Sequence, residues 1–180
     1  MKKFSSSFFD QITPEWTLFL DRDGVINLRL IDDYVKNVDE FEFLPHVKAV
    51  LEKIKPYFGR VVVVTNQQGI GKGLMSEQDL AKIHEKMLNY LHQDTFIIDK
   101  IYFCGDLKNT NSQRRKPEIG MAEDAKRDFA EIDFSKSLII GDSLSDMQFG
   151  RKAGMKTVFF GEKKEISEVD FWVETWLDFL

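Results

Sequence analysis

A chain of 180 residues with a hydrophobic share of 43% and a charged share of 31% can bury one substantial core and is too apolar to be a disordered segment. Its net charge of −5 weighs against a broad nucleic-acid or membrane footprint. No run reaches the length of a membrane span, residues 1–7 carry lysines without an apolar segment behind them, and the single Cys104 excludes an internal disulfide framework, so a cytoplasmic protein without a signal peptide is expected.

In chain order, the apolar run 18–20 is read as a first strand that ends abruptly in Asp21-Arg22-Asp23-Gly24. Asp and Gly are poor strand formers, so their arrival marks a turn. A helix is expected over 45–57, with Pro45 in its first turn. The valines 61–64 form a second strand, which ends in Thr65-Asn66-Gln67-Gln68-Gly69. Gly69-Ile70-Gly71-Lys72-Gly73 lacks the spacing of a phosphate-binding loop and the Ser/Thr after its lysine, and reads as a flexible turn. The helix that follows spans 76–92, with Ser76 and Asp79 resembling an N-cap and its box.

A strand over 97–103 leads through Arg115-Lys116-Pro117 to a helix over 118–131. A strand over 138–140 runs into Gly141-Asp142-Ser143-Leu144-Ser145-Asp146, then a helix over 144–153 stopped by Gly154, then a strand over 157–160. His46, His84 and His92 fall on helical patterns and are read as surface or packing residues. The aromatic tail 171–180 is expected to pack back on the domain, with an oligomer contact as the alternative.

Strand–helix alternation of this kind predicts an α/β fold, a Rossmann-like parallel sheet with helices on both faces. We read residues 1–180 as one domain with its core over about 17–160, since no repeat, linker or low-complexity block divides the chain. In such sheets functional groups gather at the carboxyl edge. The ends of the predicted strands carry acids, a hydroxyl and a lysine in turn. Singly, each has an ordinary explanation as a turn residue, a helix cap or a surface charge; together at equivalent edges they describe a site.

The chemistry these groups share is phosphoryl transfer through an aspartyl phosphate. Asp21 would attack phosphorus, splitting one displacement into two. Asp23 would protonate the leaving alkoxide and then take a proton from water, and close packing of Asp21 and Asp23 is expected to push their pKa values apart. Asp21, Asp142 and the backbone carbonyl of Asp23 are suitable ligands for Mg2+, with Asp146 in support. The Thr65 hydroxyl, Asn66 amide and Lys116 ammonium would bind the equatorial oxygens of the transition state, each worth roughly 3–4 kcal/mol.

Asp21-x-Asp23-Gly24, Thr65-Asn66, Lys116 and Gly141-Asp142-x-x-x-Asp146, in this order, resemble the haloacid-dehalogenase-like superfamily of phosphohydrolases. The dehalogenases of that superfamily generally lack the second Asp, so Asp23 favours a phosphatase. The longer strings Phe19-Leu20-Asp21-Arg22-Asp23-Gly24-Val25-Ile26-Asn27, Thr65-Asn66-Gln67-Gln68-Gly69-Ile70, Arg115-Lys116-Pro117-x-x-Gly120-Met121 and Gly141-Asp142-Ser143-x-x-Asp146-Met147 resemble the heptose bisphosphate and histidinol phosphatase subfamily, as does Phe41-Glu42-Phe43. The resemblance implies removal of the 7-phosphate of D-glycero-D-manno-heptose 1,7-bisphosphate, with Asn27, Asn66, Gln67 and Arg115 binding substrate. It also implies a small phosphorylated sugar or metabolite as partner; a monomer or small homo-oligomer is expected.

Two features depart from that pattern. The subfamily's zinc loop, Cys-x-His … Cys-x-Cys, falls on Cys104-Gly105-Asp106 and Ser112-Gln113-Arg114, which keeps one ligand of a structural site that needs four. No zinc is therefore expected, and Cys104 reads as a buried small hydrophobe. The first loop is also longer before Tyr34 than the subfamily pattern, which unsettles the sugar contacts of 28–35.

The stretches 24–44 and 67–115 are too short to spare a large cap domain, so an open site framed by loops 27–40 and 104–115 is expected, with Arg22, Arg29, Lys72, Arg114, Arg115 and Lys116 as a positive rim. Polynucleotide 3′-phosphatases share Thr-Asn-Gln-x-Gly-Ile and Arg-Lys-Pro and stay open as an alternative, opposed by the acidic balance. A non-catalytic, phosphometabolite-binding or scaffolding relative is a further alternative; it would have lost a catalytic group, and none is missing.

Overall fold

The computed structural model describes residues 2–3, 6–163, 166 and 168–180. Its elements are β1 (Lys2–Lys3), β2 (Thr17–Leu20), α1 (Val47–Ile54), β3 (Arg60–Asn66), α2 (Gln68–Gly71), α3 (Glu77–Leu91), β4 (Lys100–Cys104), α4 (Gly120–Asp128), β5 (Ser137–Gly141), α5 (Leu144–Ala153), β6 (Lys156–Phe160) and β7 (Phe171–Val173). The strands form one sheet in the order β1-β7-β6-β5-β2-β3-β4, and every pairing is parallel.

Successive side chains of a strand point to opposite faces, and the central strands show this directly. Leu18, Leu20, Val61 and Val63 pack with α1 and α3 through Val50, Leu51, Leu80, Ile83 and Met87. Phe19, Val62 and Val64 pack on the other face with Met121, Ala122 and Ala125 of α4 and Phe149 of α5. Burial on both faces is why these strands read as unbroken apolar runs. The order reverses at β2, which lies between β5 and β3, so the crevice at the carboxyl ends of these strands is the topological switch point.

Several boundaries moved. α1 begins only at Val47, because His46 takes a left-handed conformation (φ 65°) and leaves Pro45 outside the helix. Pro56, which lacks an N–H, sits in a 3-10 turn after Ile54 where the helix was expected to continue. The expected strand 97–103 starts at Lys100; Ile97 and Ile98 are core residues outside the ladder, and the Ile98 N–H donates to His92 Nε2. α4 is shorter than 118–131 at both ends. A Cβ on its first residue, Gly120, would lie 2.5 Å from the Gln113 carbonyl, so only glycine lets the helix start against that loop. Of the turn expected at 69–73, residues 69–71 belong to the short helix α2 and only Lys72 and Gly73 form a turn.

The capping box of Ser76 and Asp79 and the left-handed Gly154 (φ 86°) stand as expected. The sheet also runs past residue 160, since β7 pairs with β6 and the tail buries Val173, Trp176 and Phe179. Trp176 Nε1 donates to the Val25 carbonyl at 2.7 Å, tying the tail to the turn after β2. Among the described residues, no helix is long and apolar enough to cross a membrane.

Candidate active site

The ladder of β2 continues to Asp21, whose N–H donates to the Ile140 carbonyl at 2.9 Å. The chain then wraps on itself, with the N–H groups of Val25, Ile26 and Asn27 donating to the Arg22 carbonyl. Gly24 has φ +85°, and a Cβ there would fall 2.0 Å from Asp142 Oδ2. Glycine thus serves both the turn and the approach of the acid from the end of β5.

Asp21 Oδ1 accepts the Arg22 N–H at 2.7 Å and lies 2.9 Å from Lys116 Nζ. Lys116 is buried; its ammonium donates to the Val64 carbonyl at 2.7 Å and faces Asp146 Oδ1 at 2.5 Å. Asp146 occupies the first turn of α5, where Oδ2 accepts from Ser143 N and Oγ at 3.1 and 2.5 Å. Carboxylate oxygens of Asp21, Asp142 and Asp146 lie within 4.8 Å of one another.

Burial pushes the Asp21 carboxyl up to about 8, and the facing Asp146 and Asp142 add to the rise against the pull of Lys116. Burial and Asp146 raise Asp142 as well, although Arg29 reaches over from the exposed side to within 3.0 Å. Burial alone would lower Lys116, yet Asp146 and Asp21 outweigh it and keep the ammonium charged. Two buried carboxylates and the partly buried Asp142 against one buried lysine leave a negative surplus, and all the donors are hard oxygens. The cluster therefore fits a divalent cation.

Asp23 has a separate neighbourhood. Its oxygens accept from Arg22 Nη2 at 2.8 and 2.9 Å, from Asn27 Nδ2 at 2.9 Å and from Gln67 Nε2 at 2.8 Å. Burial would raise this carboxyl, but the Arg22 charge and these hydrogen bonds hold it below the usual carboxylate range. The pKa values of the two acids do separate. The cause is their different surroundings rather than mutual repulsion, and the sense is the reverse of a standing nucleophile and acid.

A cleft of about 210 Å³ is walled by Asp21, Asp23, Arg29, Tyr34, Asn66, Gln67, Arg115, Lys116 and Ser145, among others. It shares Asn66, Arg115, Lys116 and Ser145 with a neighbouring groove of about 750 Å³ that runs past Lys108 and Gln113. The structure thus brings Asp21, Asp23, Asn66, Gln67, Arg115 and Lys116 to one opening, with Asp142 and Asp146 behind them.

Other expected contacts fall elsewhere. Asn27 is fully buried, and its amide is spent on Asp23 and the Leu28 carbonyl, so it holds Asp23 rather than facing the cleft. The Asn66 side chain makes both of its bonds with the Lys116 backbone, Nδ2 to O at 3.1 Å and Oδ1 from N at 3.0 Å; it sets the lysine instead of pointing its amide at phosphate. Thr65 is buried with its hydroxyl accepting from Gln67 Nε2 at 2.9 Å.

The expected positive rim narrows to Arg29, Arg115 and Lys116. Arg22 is wholly buried, Lys72 lies over the Tyr34 ring, and Arg114 pairs with Asp124 at 3.1 Å. His84 is a packing residue and meets Arg22 at 3.4 Å. Cys104 is buried; its thiol donates to Asp106 Oδ2 at 3.4 Å and lies 3.6 Å from Ser112 Oγ. Arg115 Nη1 donates to the Asp106 carbonyl, and the Gly71 N–H donates to that of Gly105, so loop 104–115 has its own polar fastening. Sequence reading missed Ser143 as the holder of Asp146, though its S-x-x-D capping spacing was visible. It also missed Arg22 as the holder of Asp23.

The family model described as polynucleotide kinase 3 phosphatase matches residues 18–172. A relative from Mycobacterium bovis, named D-glycero-alpha-D-manno-heptose-1,7-bisphosphate 7-phosphatase, is 41% identical over 134 residues, which are 74% of this chain and 70% of the relative. A Campylobacter jejuni protein of the same name is 39% identical over 153 residues, covering 82% and 84% of the two chains. Among solved structures, the D,D-heptose 1,7-bisphosphate phosphatase from B. bronchiseptica, complexed with magnesium and phosphate, superposes with a TM-score of 0.79 at 29% identity, over 90% of this chain and 94% of that one.

Proposed function

We propose, on the premise that this chain belongs to the polynucleotide kinase 3 phosphatase family of haloacid-dehalogenase-like phosphatases, that it removes the 7-phosphate of D-glycero-D-manno-heptose 1,7-bisphosphate through an aspartyl phosphate. The observation that carries the chemistry is the convergence of Asp21, Asp23 and Lys116 on one cleft, backed by Asp142 and Asp146. The substrate rests on the names of the relatives and on the long motif around Asp21. The groove beside the cleft, with Lys108 and Arg115, offers cationic groups for a second phosphate.

Asp21 Oδ1 is engaged by Arg22 N and Lys116, which leaves Oδ2 to form the bond to phosphorus. As that bond forms, the ester P–O bond breaks, and the leaving oxygen takes the proton of Asp23. A doubly charged phosphoester beside Asp23 raises the carboxyl that the protein alone holds low, which favours that protonated form. Water then attacks phosphorus and gives its proton to Asp23. The Asp21 carboxylate and phosphate are released. Lys116 neutralises charge at Asp21 throughout. Mg2+, held by Asp21, Asp142 and the Asp23 carbonyl with Asp146 behind, would supply the charge neutralisation that brings a carboxylate and a phosphoester together.

We read the chain as a single domain acting on a small metabolite, in the cytoplasm, as a monomer or small homo-oligomer. The net charge of −5 weighs against nucleic acid. One panel with Mg2+ tests the substrate: heptose 1,7-bisphosphate, histidinol phosphate and a 3′-phosphorylated oligonucleotide, ranked by kcat/KM. Heptose bisphosphate should lead; a lead for the oligonucleotide would overturn the sugar in favour of the chemistry in the family's name.

A further inference from the structure

Arg22 stands between the two acids of the site, yet its side chain is 0% exposed. Nη2 bonds both oxygens of Asp23, at 2.8 and 2.9 Å. Nη1 lies 3.4 Å from His84 Nε2, and the guanidinium carbon sits 5.8 Å from the centre of the Phe41 ring. Its Nε is buried with no partner among the described residues. His84, inside α3, is itself buried, and burial together with the Arg22 charge drives its pKa down to about 3. A neutral ring accepts at Nε2 with its proton on Nδ1, and so completes the seat of the guanidinium.

This arrangement is a poor way to gain stability. An ion pair buried with an unmet donor is commonly no better than apolar residues of similar volume. Its geometry suits another purpose. Asp23 is the more exposed partner, with a side chain 25% open, and it faces the cleft. A carboxyl that must meet a leaving oxygen and then a water molecule works only when its direction is fixed. Asn27 and Gln67 each give it one neutral hydrogen bond, whereas Arg22 meets both oxygens with one charged nitrogen, Nη2, while Nη1 rests against His84.

We propose that Arg22 is a positioning residue for Asp23, seated from behind by His84 and Phe41, and that it aims the carboxyl at the leaving-group oxygen. The proposal rests on the phosphatase reading above. It predicts a signature that general loss of structure does not produce. An ester with a poor leaving group needs the proton of Asp23, and one with a good leaving group does not.

The test compares Arg22→Met, Arg22→Lys, His84→Leu and the benchmark Asp23→Asn on two substrates with Mg2+ present. One is p-nitrophenyl phosphate, and the other is the alkyl phosphate of the panel above that the wild type turns over fastest. Arg22→Met should lower kcat on the alkyl ester by about 100-fold with little change in KM, and should lower it far less on the aryl ester, the pattern Asp23→Asn shows more strongly. Arg22→Lys, which keeps the charge but lacks the second nitrogen that rests against His84, should recover part of the loss. His84→Leu should show a weaker form of the same split, and it carries the test if Arg22→Met does not fold. Equal losses on both esters, or an unchanged alkyl kcat in the folded variants, overturn the proposal. A wild type that hydrolyses neither ester overturns the phosphatase reading, and the positioning role falls with it.

Discussion

The charge surplus around Asp21 makes the stability of the protein depend jointly on pH and cation. Asp21 is pushed from an ordinary 3.8 up to about 8, chiefly by burial and by Asp146. Between these values the folded protein holds a proton that the unfolded chain has lost, so stability falls as pH rises. His84 works oppositely, since its lowered pKa removes stability only as pH drops below about 6.5. From about pH 6.5 to 8 no histidine opposes the Asp21 effect, which amounts to about 2 kcal/mol, or roughly 4–8 °C in Tm for a chain of this size, and the raised Asp142 acts in the same sense. A divalent cation that binds the ionised cluster cancels the fall. Calorimetry in EDTA and in excess MgCl2 should show Tm declining with pH only in EDTA. Asp21→Asn should flatten the EDTA curve. An unchanged slope in that variant, or a flat wild-type curve in EDTA, would refute the electrostatic reasoning.

Asp21→Asn should also abolish turnover on every ester while the fold persists, and measurable phosphate release would sink the nucleophile assignment. Gly24→Ala drives a Cβ to within 2.0 Å of Asp142 Oδ2, so Asp142 must shift; magnesium titrations should show a weakened site, and wild-type affinity would contradict the contact. Trp176→Phe removes the donor to the Val25 carbonyl, and urea unfolding should show a loss of about 1–3 kcal/mol. With loop 104–115 fastened through Cys104, Asp106 and Ser112, a zinc-selective chelator should leave activity intact in the presence of Mg2+. Inactivation reversed by zinc alone would show that a metal holds the loop.

The central strands were legible because parallel strands covered on both faces must be continuously apolar, and few other elements four to seven residues long look like 61–64. The same criterion overreached at Ile97 and Ile98, which are as buried as any strand residue but bond outside the ladder. It gave no sign of β7, a three-residue strand whose Phe171 and Trp172 are only partly covered. At the site, Asp21, Asp142 and Lys116 could be placed because strand ends converge at one edge whatever the details of packing. Side-chain direction was not available in that way. Asn27 and Arg22 both turn inward because residues 22–27 wrap around the Arg22 carbonyl, a local path that no spacing rule encodes.

That inward turn bears on how the site acts. With protein groups alone, burial and two facing carboxylates push Asp21 toward the neutral form, while Arg22, Asn27 and Gln67 hold Asp23 ionised. A neutral carboxyl is a weak nucleophile and an ionised one has no proton to give, so neither acid stands ready. A divalent cation beside Asp21 reverses the first condition by favouring its charge, and a doubly charged phosphoester against Asp23 reverses the second by opposing its charge. The two corrections arrive with the two ligands the reaction requires. On the proposed mechanism, the Asp21-Arg22-Asp23 sequence thus couples catalytic competence to occupancy. The residue between the acids belongs to that coupling as much as the acids do, since the Arg22 charge is the largest pull that holds Asp23 low, ahead of the hydrogen bonds from Asn27 and Gln67.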